Sequence, residues 1–79
     1  MQGDALAQNS LGGMYATGQG VAQDYVAAHM WADIATANGN EDARVNRDSI
    51  AGRMTANEIA EAQRRATVCM GFKYYVACD

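Results

Sequence analysis

Three observations predict an all-α chain. Apolar residues recur at a helical period along its length, the 79 residues contain no proline, and sixteen of them are alanine, the residue that helices accommodate best. The expected architecture is an α–α superhelix, or solenoid, of about two helix-turn-helix repeats with four helices. Repeat one spans 3–38, a degenerate repeat two spans 39–68, and 69–79 form a C-terminal tail of a single domain 1–79.

The elements follow in order. Ala7, Leu11, Met14 and Tyr15 fall on one face at the helical period, with Gln8, Asn9 and Ser10 between them, which predicts a first helix over about 4–16. "TGQGVAQ", residues 17–23, has two glycines and no periodic pattern and reads as a loop. Asp24 stands at an N-cap position. Tyr25, Ala28, Trp31, Ala32 and Ala35 then recur at helical spacing until Asn38-Gly39 closes a second helix over about 24–38. Asn40 caps a third helix, with Glu41 and Asp42 at the positive end of its dipole and Ala43, Ile50 and Ala51 inward. Thr55-Ala56-Asn57-Glu58 is a capping box, where threonine and glutamate satisfy free backbone donors. It starts a fourth helix with Ile59, Ala62, Ala66 and either Cys69 or Met70 inward. The tail "FKYYVAC" is the only stretch with any strand character.

Composition restricts function. A domain this short buries little over about 60% of its unfolded surface. With two leucines, three isoleucines, one phenylalanine and one tryptophan, its core is thin and suits closely packed helices better than a deep pocket. No run of eighteen apolar residues exists, so no membrane insertion is expected. "MQGDALAQ" lacks the basic start and apolar stretch of a secretory signal, so either the protein is cytoplasmic or the chain begins after a removed segment. A net charge of −3, with Arg64-Arg65 the densest positive site, argues against nucleic acid as a partner.

The second helical pair repeats the first weakly. A shift of thirty-six residues puts Gly3 on Gly39, Ala7 on Ala43 and Met14 on Ile50, and a shift of thirty-four puts Tyr25 on Ile59, Ala28 on Ala62 and Ala32 on Ala66. The difference is a shorter second loop, "GRMT" against "TGQGVAQ". Two helices per period of this size mark an α-solenoid.

Gly3-Asp4-Ala5, Ala7-Gln8, Leu11-Gly12, Met14-Tyr15, Gly18, Gly20-Val21, Gln23-Asp24-Tyr25, Ala28, Trp31, Ala35 and Gly39 stand in the order and spacing of the Sel-one-like repeats, relatives of the tetratricopeptide repeats. "NRDSIAGRMTANEIAEAQRRA" resembles the degenerate last unit of bacterial members, so the resemblance covers about residues 3–68. Ala32 departs from it where an aromatic ring is usual, as does Ala22 where proline is common. The resemblance implies a curved adaptor scaffold that holds other proteins without catalysis. It gives structural roles to Gly18 and Gly20 as loop glycines with positive φ, to Gly12 as the residue that lets the first two helices approach, and to Trp31 as a packing residue. A nucleotide loop would need a strand before the glycines and a lysine or further glycine at fixed spacing, and neither is present.

Other candidates have bland readings. His29 lies beside the Tyr25–Ala28–Trp31 stripe and is expected to be a half-buried packing residue; with Asp33 at i+4 it offers two ligands, too few for a closed zinc site. No metal or cofactor is expected. Arg47 occupies the place of Leu11 in the preceding repeat and is expected to cover the last core layer, its charge paired with Asp48 or another acid. Glu58 and Glu61 read as a solvated helix face. Cys69 and Cys78 would be two thiols in a reducing cytosol. The resemblance favours a disulfide, because secreted and periplasmic members commonly end with a cysteine pair, and pairing would imply a periplasmic or secreted location.

The functional expectation is a protein–protein interaction module whose first helices line a concave side, with Asn9, Gly13, Ala16, Asn46, Ser49 and Arg53 as partner-binding candidates. Its alternatives are a structural end-cap of a longer array, or a small metal-dependent hydrolase built on His29, Asp33 and Glu61. Isolated chains are expected to self-associate through their first helices, the Leu6, Leu11 and Tyr15 side having no preceding repeat.

Overall fold

A computed structural model describes residues 4–71. The fold is all-α, with four helices and no strand among the described residues: α1 (Ala5–Thr17), α2 (Tyr25–Ala37), α3 (Glu41–Ala51) and α4 (Ala56–Met70). The tail from 72 onward, including the stretch with strand character, lies outside them.

Local chemistry sets the ends. Asp4 accepts a hydrogen bond from the Ala7 amide at the start of α1, and Gly18 ends it with φ 77°, donating its N–H to the Met14 carbonyl. Gly20 has φ 79°, so both loop glycines adopt the left-handed conformation that a Cβ would disfavour. The Asp24 carboxylate then accepts from both Val26 and Ala27 amides. Asn40 accepts from the Ala43 amide, and the Thr55–Glu58 capping box is complete in both directions.

α2 is the centre, packing against each of the other three helices. Eight of its thirteen residues are buried, from Ala27 to Ala32 together with Ile34 and Ala35. Met30, Trp31 and Ile34 meet Ala66 and Cys69 of α4, with Leu11 and Tyr15 of α1 packed at the edge. On α4, Ala62, Ala66 and Cys69 point inward as expected, and Met70 is exposed. Ile34 and Cys69 are the largest side chains fully buried. A buried aliphatic side chain contributes about 1.5–3 kcal/mol, so a core of this composition has few large terms.

The first helix departs from its expected face. Gln8 and Gly12 are the buried residues of α1, whereas Ala7 is exposed and so is Met14. The reason is close approach: a Cβ on Gly12 would stand 3.1 Å from the Ala28 carbonyl oxygen. α2 therefore presses its backbone onto the Gln8–Gly12 line, leaving Leu11 and Tyr15 half-buried beside it. Leu6 is 73% exposed. It is five residues from Leu11, about 140° away around the helix, so the expected Leu6–Leu11–Tyr15 side is not one surface.

Candidate functional site

Across the first helices of the two hairpins runs a groove of about 260 Å³, lined on α1 by Asn9, Gly12, Gly13, Ala16 and Thr17 and on α3 by Asn46, Ser49 and Ile50, with Ala32 of α2 beneath. It exists because α1 and α3 touch only lightly, each leaning on α2 instead. Glycine and alanine along this side of α1 leave the space open, and a Cβ added at Gly13 would meet nothing within 4 Å. Asn46 donates an Nδ2–H to Asn9 Oδ1 across the groove at 3.1 Å. The lining carries hydrogen-bonding groups and no charge, so it suits an uncharged segment with polar groups of its own.

Five of the six partner-binding candidates, Asn9, Gly13, Ala16, Asn46 and Ser49, line this groove. Arg53 does not. α3 ends at Ala51, and the turn through Gly52 carries Arg53 past the helix that was expected to present it. The other four lining residues, Gly12, Thr17, Ala32 and Ile50, are not among the partner-binding candidates; Thr17 and Ile50 each sit one helical turn from a candidate.

A second feature joins α2 to α3. His29 is 2% exposed, more deeply buried than the half-buried role expected of it. Its Nδ1 lies 3.1 Å from Asp33 Oδ2. The two atoms are close but not aligned as a hydrogen bond, and neither has another partner. The contact is therefore electrostatic, an ion pair when the imidazole is protonated. Asp33 Oδ1 accepts from Arg47 Nη1 of α3 at 3.3 Å, and Arg47 also reaches Asp48. Arg47 is thus a link between helices as well as a partner of its neighbour.

Glu61 accepts hydrogen bonds from Arg64 and Arg65 on the surface of α4. The Arg64 bond foremost, then that of Arg65, holds its carboxyl below the usual range. Among the described residues no three His, Cys, Asp or Glu side chains come together as a metal site. Trp31 is packed in the core, and its buried Nε1 has no hydrogen-bond partner. Cys69 is buried on α4, and Cys78 lies outside the described residues, as does their expected pairing. No helix among the described residues is long and apolar enough to cross a membrane.

Compared with known proteins, the chain matches no family model, no curated protein and no solved structure at a significant level.

Proposed function

We propose that the chain is a non-catalytic protein–protein interaction module of the Sel-one-like repeat type, with the α1–α3 groove as its binding surface. One observation carries this reading: the first helices of both hairpins converge on a single uncharged groove that holds five independently chosen surface positions. In this reading the two hairpins are successive units of an α-solenoid, and the chain either pairs with a second copy or stands within a longer repeat array. If Cys69 and Cys78 are joined, the setting is periplasmic or secreted; otherwise it is cytoplasmic.

Selection of displayed peptides against the folded chain, followed by amide-shift mapping, tests the reading. Ligands should perturb Asn9, Gly13, Ala16, Asn46 and Ser49. Gly13→Phe should abolish their binding while the chain stays folded, because the site of the new side chain is open space. Ligands that map elsewhere, or that bind Gly13→Phe unchanged, would remove the groove from its role.

A further inference from the structure

We propose that Asn38 is a latent site of covalent modification: the Gly39 nitrogen attacks the Asn38 side-chain amide, and the resulting succinimide opens to aspartate or isoaspartate at the junction between the two hairpins. The chain has five asparagines. Asn9, Asn46 and Asn57 lie within α1, α3 and α4, where the helical backbone fixes the nitrogen that follows, and Asn40 precedes Glu41, the first residue of α3. Each of these four is followed by a residue whose Cβ crowds the approach to its nitrogen. Asn38 alone is followed by glycine, and it stands just past the end of α2 as its C-cap. Gly39 is exposed, with φ 102°, and a Cβ there would meet nothing within 4 Å, so the space for a five-membered ring is open.

The reaction needs no partner but water. The Gly39 nitrogen gives its proton to water or hydroxide and forms a bond to Asn38 Cγ. The Cγ–Nδ2 bond breaks, and Nδ2 leaves as ammonia with a proton taken from water. A second water then adds to one of the two ring carbonyls. Opening at Cγ leaves aspartate, whereas opening at the main-chain carbonyl of residue 38 leaves isoaspartate, in which the chain runs through Cβ and Cγ and is one methylene longer.

Two contacts restrain the reacting groups in the folded chain. Asn38 Nδ2 donates to the Oε1 of buried Gln8 at 2.9 Å, and the Gly39 N–H donates to the Thr36 carbonyl at 3.0 Å. Attack requires both to be released, so its rate follows the opening of the end of α2. The product cannot restore the first of them. A carboxylate at 38 has no hydrogen to offer Gln8, whose bond ties α1 to α2, and it puts negative charge at the end of α2 that is already negative. The extra methylene of isoaspartate displaces Asn40, whose N–H donates to the Ala35 carbonyl and whose side chain caps α3. Modification therefore loosens the first hairpin and its link to the second, in one direction only.

Incubation of the whole chain at mildly alkaline pH, followed by peptide mass spectrometry, tests the proposal, with isoaspartate counted by enzymatic carboxyl methylation. Asn38 should be converted before the other four asparagines, and about tenfold or more slowly in buffer than in urea, where both restraining bonds are absent. Gln8→Met keeps the length of the side chain and removes its acceptor. Where circular dichroism shows that variant helical, conversion should be about two- to tenfold faster, the factor that one net hydrogen bond is worth. Asn38→Asp, which reproduces the shorter product, should melt about 4–8 °C lower than the parent. Earlier conversion at another asparagine, equal rates in buffer and urea, a folded Gln8→Met that reacts no faster, or an Asn38→Asp chain that melts like the parent would each overturn the proposal. Should Gln8→Met not fold, the parent's rates in buffer and urea decide alone whether the fold restrains the site.

Discussion

Replacing Gly12 by valine tests the close approach of α1 to α2. A Cβ there would lie 3.1 Å from the Ala28 carbonyl oxygen and 3.5 Å from both the Ala32 nitrogen and the Trp31 Cβ. Two of these three atoms are backbone of α2, fixed by its own helical hydrogen bonds, so the site cannot relax by turning a side chain. Alanine alone would gain about 1 kcal/mol in helix propensity, offset by a displacement of a few tenths of an ångström between α1 and α2. Valine recovers only about half that propensity and adds two methyls where no room exists. Overpacking of this kind costs about 1–3 kcal/mol, and the rigid neighbours put Gly12→Val near the upper end, for a net loss of about 2–3 kcal/mol. In a domain of this size each kcal/mol moves the melting temperature by about 4–8 °C, so a fall of roughly 10–20 °C is expected by circular dichroism. Gly13 supplies the control, since it is the next residue on the same helix and its added Cβ meets nothing within 4 Å. Gly13→Ala should stabilise by about 0.5–1 kcal/mol. If Gly12→Val and Gly13→Val melt together, the close approach of α1 and α2 is wrong.

Four further outcomes are expected. Reductant should lower the melting temperature of oxidised protein, by about 2–3 kcal/mol in stability if Cys69 and Cys78 are joined across a short loop; two titratable thiols in air-purified protein would dispose of the bond. Asp33→Ala should destabilise by about 2 kcal/mol, because Arg47 loses a charged acceptor and the buried His29 Nδ1 loses the carboxylate beside it, and melting like the parent would mean that Asp48 alone holds Arg47. Thr55→Ala removes half of the capping box and should cost about 1 kcal/mol, read from the same melts; no loss would show that the start of α4 is held by Glu58 alone. For Glu61 the folded carboxyl titrates below its unfolded value, so its contribution is complete above the unfolded range and disappears as pH falls through the folded one. NMR titration should show the Glu61 midpoint rising in Arg64→Gln, and an unmoved midpoint would remove Arg64 as its main cause.

The helix boundaries were legible because their causes are local. Asp24, Asn40 and the Thr55–Glu58 pair each satisfy amides within three residues, so the signal and the structure share one short stretch of chain. Faces were less legible where a polar or absent side chain makes the contact. Gln8 is buried and its Oε1 accepts from Asn38 of the α2 terminus. Apolar periodicity ranks such a residue as outward. Met14 was assigned inward by the same rule, yet α2 approaches along the side where Gly12 offers least obstruction. Arg47 bonds Asp33 from fourteen residues further along the chain, and no spacing rule ties those positions together. Five groove residues were found because helix periodicity does fix which positions share a side once the helices are placed. Arg53 failed because it lies in the turn after α3, which ends at Ala51, and so is not on the helix.

The central position of α2 has a consequence for how the chain opens. α2 belongs to the first hairpin by sequence, yet it meets α3 and supplies the surface on which α4 rests. The second hairpin cannot keep its core when the first departs. Amide hydrogens of α2 should therefore exchange only through complete unfolding, while those along the outer sides of α1 and α3 exchange through smaller openings. Hairpins that merely abutted would open one at a time, with two separate exchange limits; here α2 enforces a single limit for both.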